Sequence, residues 1–324
     1  MLVLNERFNE LVSRYIVPII DYNISYTKLK KSALQELLVG KKVKNISVDT
    51  SGKITFSFLK DDLLLALVND IDLFMIRVLL QQRAAVKLHE PSSDPTVNWT
   101  VVTDYYYSFF LAGLLLRLCH RGTFYFDDTA KNNLGKLVKG FTGQEVKFGS
   151  NYFFSICVDD KNAEYTLTLA SNGHKTHEIV WEQVADLLSD VMALSAVKSD
   201  EYTILSKLSD INSVQGRTFP SKLRNTLNYR PYYGVKEVSR SYFVPNPTIF
   251  EDRWLDTITT FTQKAEDEQQ LINLFASYTR YLQLLTFNLL QAYFDRRGRS
   301  NGILSAINKN RSEKINIPPA RYRF

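Results

Sequence analysis

The stretch Tyr105–Leu118, YYYSFFLAGLLLRL, decides the fold of this chain. It opens on three tyrosines, continues through apolar residues broken by Ser108 and Arg117, and carries Ala112-Gly113 near its middle. Apolar residues on every side of a helical repeat mean a helix enclosed by others. A glycine inside it costs helix propensity but lets another element approach closely. The spacing predicts a helix over 104–120, buried on nearly all sides and packed against a helix carrying Val180, Val184 and Leu187. The run is too short to span a bilayer, so no membrane partner is expected.

Upstream, a helix is predicted over 61–88, with Asp61 and Asp62 at its positive end. Leu64, Leu67, Val68, Ile71, Phe74, Met75, Val78 and Leu79 give it a broad apolar face. The segment HEPSSDP (89–95) ends it, because proline cannot continue a helix. Residues 5–22 and 27–39 read as two further helices, with Phe8, Leu11, Tyr15 and Ile19 at helical spacing on the first. Between these regions the period changes to two. Ile46 and Val48, then Ile54, Phe56 and Phe58, alternate with polar neighbours around Asp49–Lys53, which predicts a β-hairpin.

Downstream, Asp128 is an expected N-cap for a helix ending at Gly140. A second hairpin follows, with Tyr152, Phe154, Ile156 and Val158 facing Tyr165, Leu167 and Leu169. Thr176 is the expected cap of the helix whose stripe is Val180, Val184, Leu187, Leu188 and Val191. A connector rich in tyrosine and proline (232–247) leads to a C-terminal helical pair. Its second helix, near 267–294, aligns Leu271, Leu274, Phe275, Tyr278, Leu282, Leu285 and Leu289, and its apolar face requires a cover. The expected fold class is α+β, predominantly α-helical, with two small β-hairpins and a long C-terminal helix. Three segments are expected: 1–60, 61–232 and 233–324.

With 324 residues, 45% of them hydrophobic, the chain can bury a large core. Cys119 and Cys157 both lie in apolar runs and are read as buried thiols of a reducing cytosol. Glu6 and Glu10 interrupt the N-terminus where an export signal would be apolar, so a cytoplasmic protein is expected. The net charge of +6 is concentrated at one end. Residues 295–324 hold eight of the forty basic residues and two of the thirty-four acidic ones, leaving 32 of each elsewhere. A basic tail on a neutral body suits a polyanion or an acidic partner surface. Arg296, Arg297, Arg299, Arg311 and Lys314 are its candidate binding residues. Ile303, Leu304 and Ile307 suit a protein groove better than a phosphate backbone.

No glycine-rich phosphate loop and no Gly-x-Ser-x-Gly elbow occurs, which argues against nucleotide-driven motors, dehydrogenases and serine hydrolases of the usual kinds. No cofactor and no metal is expected. His174 and His177 stand three apart with Glu178 as the one close carboxylate, a pattern better read as a solvated turn than a metal site. Asp70 and Asp72 are two apart on a helix and share no face. The segment Ser221–Tyr233, SKLRNTLNYRPYY, is different. Arg224 and Asn228 share a helix face by i,i+4 spacing, with Tyr229 beside them. A guanidinium among amides and phenols can hold a phosphate, and Arg230 follows as a further binding candidate. The competing expectation is that Arg224 pairs with a buried carboxylate while Tyr229 and Tyr232 fill core.

YYYSFFLAGLLLRL resembles the tyrosine-led second helix of HEPN-type domains, the helical modules of many prokaryotic toxin–antitoxin and antiviral defence systems. LRNTLNYRPYY resembles their final motif, an arginine and a polar residue four to six positions ahead of a histidine. The resemblance spans 61–232 without the hairpins. In ribonuclease members, the arginine and histidine form a metal-independent active site. The resemblance thus implies Arg224, Asn225 and Tyr229 as the catalytic positions, with tyrosine standing where histidine is expected. Tyrosine, with a pKa near 10, is a poor proton acceptor at neutral pH. The implied protein is a catalytically degenerate subunit of a defence or toxin-type system, binding a partner protein in a multi-component complex or RNA. Two alternatives stand beside it. One is an active ribonuclease using Arg224 with Tyr229 or a distant histidine such as His120. The other is a structural adaptor docking through the C-terminal helix and tail.

Overall fold

The computed structural model describes residues 10–22, 30, 33–40, 42–88, 97–171, 173, 175–195, 199–229, 254–265 and 268–296. A π turn (Val12–Ile16) and a 3-10 turn (Val17–Ile19) precede α1 (Ala33–Val39), β1 (Asn45–Val48), β2 (Ile54–Ser57), α2 (Lys60–Leu88) and α3 (Val97–Leu118). There follow β3 (Arg121–Tyr125), α4 (Asp128–Thr142), β4 (Asn151–Asp159), β5 (Glu164–Ala170), α5 (Thr176–Leu194), α6 (Asp200–Gln215) and α7 (Phe219–Tyr229). Short α8 (Trp254–Thr259) and long α9 (Glu268–Arg296) complete the order. This is the predominantly helical α+β fold expected. The loop 89–95, the connector 232–247 and residues 297–324 lie outside the described residues.

Helix α3 is the hub. It packs against α2, α5, α7, α9 and β3, and Leu111, Ala112, Leu114, Leu115 and Leu116 are fully buried. The helix starts seven residues earlier than the apolar run suggested, because Val101 and Val102 pack into the core despite polar neighbours. Its close approach to α2 occurs at Gly113, where a Cβ would stand 2.6 Å from Cε1 of Phe74. Any side chain there would displace that ring, so the glycine is required by packing.

Beside it, Arg117 is buried with Asp70 of α2, Nε to Oδ2 at 3.6 Å. Its guanidinium lies over the Phe74 ring at 3.5 Å and donates to the Gly113 carbonyl at 3.1 Å. Burial pulls the Arg117 pKa down to about 10, which still leaves it charged at neutral pH. Burial raises the Asp70 pKa, and the Arg117 charge opposes that shift. The helical period separated Asp70 from Asp72, and the partner of Asp70 lies on another helix.

The two expected hairpins form one sheet, ordered β1-β2-β5-β4-β3 and antiparallel throughout. Phe56 opposes Leu167, which opposes Ile156, and Leu169 opposes Phe154, so one buried apolar face continues from hairpin to hairpin. Strand β3, RGTFY, offered too little alternation to be read. Its Gly122 lets the Phe154 ring lie across it, where a Cβ would meet that ring at 2.7 Å. The same alternation corrects the reading of Cys157. With Tyr152, Phe154 and Ile156 inward, Cys157 faces outward and is exposed, whereas Cys119 is buried and its thiol is pushed up to about 12.

Several helix ends also differ from expectation. Asp127, not Asp128, caps α4 by accepting from the Ala130 N–H at 2.8 Å, and Gly143 ends it at φ +72°. Asp128 sits in the first turn and pairs with Lys131. Thr176 is already helical and gives its hydroxyl to Asn151 at 2.6 Å. Near the N-terminus the α-helical ladder gives way around Pro18, which has no N–H to donate. The apolar face of α9 is covered within the fold. Phe275, Tyr278, Leu282, Leu285 and Leu289 are buried, and the helix packs against α3 and α8. One hydrophobic core runs from Leu11 to Tyr293.

His120 closes α3 at φ +59° and is fully enclosed, its Nε2–H donating to the Tyr15 carbonyl at 2.8 Å. Burial holds its imidazole down to about 4, against 6.5 when solvated. Below about pH 6.5 the unfolded chain therefore binds a proton that the folded chain refuses until about pH 4. Stability should fall with falling pH through that window by up to about 3 kcal/mol. In urea titrations across the window, His120→Asn should be weaker at neutral pH but show a shallower slope, and an unchanged slope rejects the assignment. The buried pair gives a second expectation. Asp70→Ala should cost about 3–5 kcal/mol by stranding Arg117, whereas Asp70→Leu with Arg117→Met should recover most of that loss. Equal losses in the single and double variants would overturn this account.

Candidate functional site

Near the middle of α3 the chain presents Tyr105 and Tyr106 to two other helices. Arg224, half-buried on α7, donates from Nη2 to the Tyr106 hydroxyl at 2.7 Å and from Nη1 to the Asn225 side-chain oxygen at 2.9 Å. Its guanidinium carbon stands 5.6 Å from the Tyr106 ring centroid. Burial alone would lower the Arg224 pKa. The Tyr106 hydrogen bond and the phenols of Tyr106, Tyr105 and Tyr229 outweigh it and hold the pKa above its ordinary value.

Among the described residues no carboxylate pairs with Arg224, and its Nε has no hydrogen-bond partner. Tyr229 is 74% exposed, and Asn225 and Asn228 are exposed as well. The core-filling alternative therefore fails for Tyr229, and the carboxylate it assigns to Arg224 is not found among the described residues. A helix face bearing one held cation, two amides and an open phenol suits an anionic, ring-bearing ligand.

His177, in the first turn of α5, is the residue the sequence reading passed over. It is not a solvated turn. Its Nδ1 lies 2.9 Å from the Tyr105 hydroxyl, and its ring packs against Phe109 with centroids 4.4 Å apart. Tyr105 also accepts from the Trp181 indole N–H at 3.3 Å. The Ser221 side chain is a further hydrogen-bond partner of the Tyr105 hydroxyl. Burial, then the positive charge of Arg224, lowers the His177 pKa, so it is neutral at physiological pH. Burial pushes Tyr105 itself up to about 12.

The structure thus brings Arg224, Asn225 and Tyr229 to one face and adds Tyr105, Tyr106 and His177. The tyrosine cluster was visible in the sequence, but nothing local ties it to His177. His120 is not part of this site. It lies fourteen residues along α3 from Tyr106, about 21 Å at 1.5 Å per residue, and is bound to Tyr15. Arg230, His174, Arg297, Arg299, Arg311 and Lys314 lie outside the described residues, as does the side chain of Arg296. Among the described residues no group of three His, Cys, Asp or Glu side chains could hold a metal, and no helix is long and apolar enough to cross a membrane.

No protein-family model, curated protein or solved structure matches this chain.

The partners of Arg224 among the described residues are neutral, so its removal strands no buried charge there. Arg224→Ala should lower stability by no more than about 1 kcal/mol, a melting shift of about 2–4 °C. A loss of about 3–5 kcal/mol, the signature of a broken buried ion pair, would mean that the arginine serves folding.

Proposed function

We propose that this chain is a HEPN-like, catalytically degenerate subunit of a prokaryotic defence or toxin-type system, whose Arg224 face holds the phosphate backbone of RNA. One observation carries the reading: among the described residues the donors of Arg224 are only partly used. Guanidinium has five N–H donors in a planar fork. One goes to Tyr106 and one to Asn225, and no carboxylate competes for the rest among the described residues. Phosphate oxygens match that fork. Tyr229, open to solvent beside it, offers a stacking surface for a base. Tyrosine at that position leaves the motif without its expected proton acceptor, which favours binding over cleavage. The basic segment 295–324, with Ile303, Leu304 and Ile307, suits a partner protein of the same assembly.

Labelled single-stranded RNA tests the proposal in a chelator-containing buffer. Binding without cleavage is expected, weakening with salt by about 0.7 in the log–log slope per phosphate contacted. Arg224→Ala should weaken binding and reduce that slope by about one contact's share. Absence of binding even in low-salt buffer overturns the RNA reading. Cleavage products that vanish in Arg224→Ala overturn the degenerate assignment and make the protein a ribonuclease.

A further inference from the structure

His177 and Arg224 come from different helices and flank the same pair of tyrosines. Arg224 is bonded to the Tyr106 hydroxyl and His177 to the Tyr105 hydroxyl, and the Tyr106 and His177 rings lie 6.3 Å apart between centroids. Tyr105 and Tyr106 are themselves in edge contact at 5.6 Å. The imidazole is therefore fixed on one side by Tyr105 and on its face by Phe109. No other hydrogen-bond partner of its ring is found among the described residues. A histidine held so firmly through one nitrogen presents the other at a defined place.

We propose that His177 is the second cationic contact of the Arg224 site, gaining a proton from solvent when a phosphodiester of single-stranded RNA binds there. The inference rests on the RNA reading above and adds to it the residue that makes binding depend on pH. Burial, and after it the charge of Arg224, whose field reaches His177, keeps the ring neutral. On α3 the facing groups are the phenols of Tyr105 and Tyr106, and Tyr105 is un-ionised at neutral pH. On its own helix, Glu178 turns back to accept from the Lys175 backbone N–H at 3.4 Å. Helix α7 contributes Arg224. A phosphate seated on Arg224 cancels the charge that disfavours imidazolium and supplies an acceptor for Nε2–H. In the imidazolium the added proton sits on the nitrogen left bare in the neutral ring, Nδ1–H donates to the Tyr105 oxygen and Nε2–H is left for the phosphate, so Tyr105 is a positioning residue.

The experiment is a binding titration of the full chain with a labelled oligouridylate from about pH 8 to about pH 5.5, a range spanning the ordinary imidazole pKa. Affinity should rise as pH falls, by about tenfold for each unit by which binding raises the imidazole pKa. His177→Gln should flatten that profile, and Tyr105→Phe should weaken the pH dependence while retaining binding. Calorimetry of the unaltered protein in buffers of different ionisation heat should show net proton uptake near pH 6.5, a readout that needs no variant. Binding with a flat profile, with no proton uptake, or with the same profile in His177→Gln overturns the role of His177 and leaves the RNA reading standing. No binding at any pH overturns both.

Discussion

The burial of Arg117 is the constraint on which the rest of this structure depends. A guanidinium enclosed by protein needs compensation for its lost hydration, and three parts of the fold supply it. Helix α2 brings Asp70 and the face of Phe74, α3 brings its own Gly113 carbonyl, and the sheet brings the Phe154 ring at 5.8 Å. Both glycines that touch this assembly are explained by it. Gly113 admits Phe74, and Gly122 admits Phe154. The charge therefore sets the distances between α2, α3 and the sheet, because each must stay close enough to contact it.

With its C-terminal half held this way, α3 places its middle turns between α5, α7 and α9. There the packing is aromatic. Tyr105 stacks with Phe109 and Phe275 and meets Trp181, while Tyr278 joins Trp181 to Phe219. Ser108, whose hydroxyl donates to the Asp104 carbonyl at 2.7 Å, accepts from the buried Thr279 hydroxyl at 2.8 Å inside the α3–α9 contact. The outer edge of this aromatic wall is where Tyr106, His177 and Arg224 meet. The site is thus the polar rim of a rigid hydrophobic contact, and its partners are positioned by helices and not by loops.

The fold also explains why the long C-terminal helix is not a free docking surface. Its wide apolar stripe is taken up by α3 and α8. A docking role for the C-terminal region would accordingly rest on the basic segment that follows the helix. The sheet behaves in the same way, since joining the two hairpins edge to edge pairs β2 with β5 and leaves neither as a small isolated ribbon.

What the sequence determined by itself was whatever depends on neighbours within a few residues. The apolar continuity of 105–118 required a buried helix, the 3.6 period placed the stripe of α5, and strict alternation produced both hairpins with their inward faces. Arg224, Asn225 and Tyr229 were legible as a group because one short helix carries them. Tertiary structure decided what joins elements distant along the chain. The pairing of β2 with β5, the choice of Asp70 as partner for Arg117 and the placing of His177 against Tyr105 involve separations of tens to more than a hundred residues. Periodicity says which face of an element is buried, but not which other element covers it. That choice is made by shape and charge once the helices meet, and so the histidine beside Arg224 emerged from packing and not from the motif.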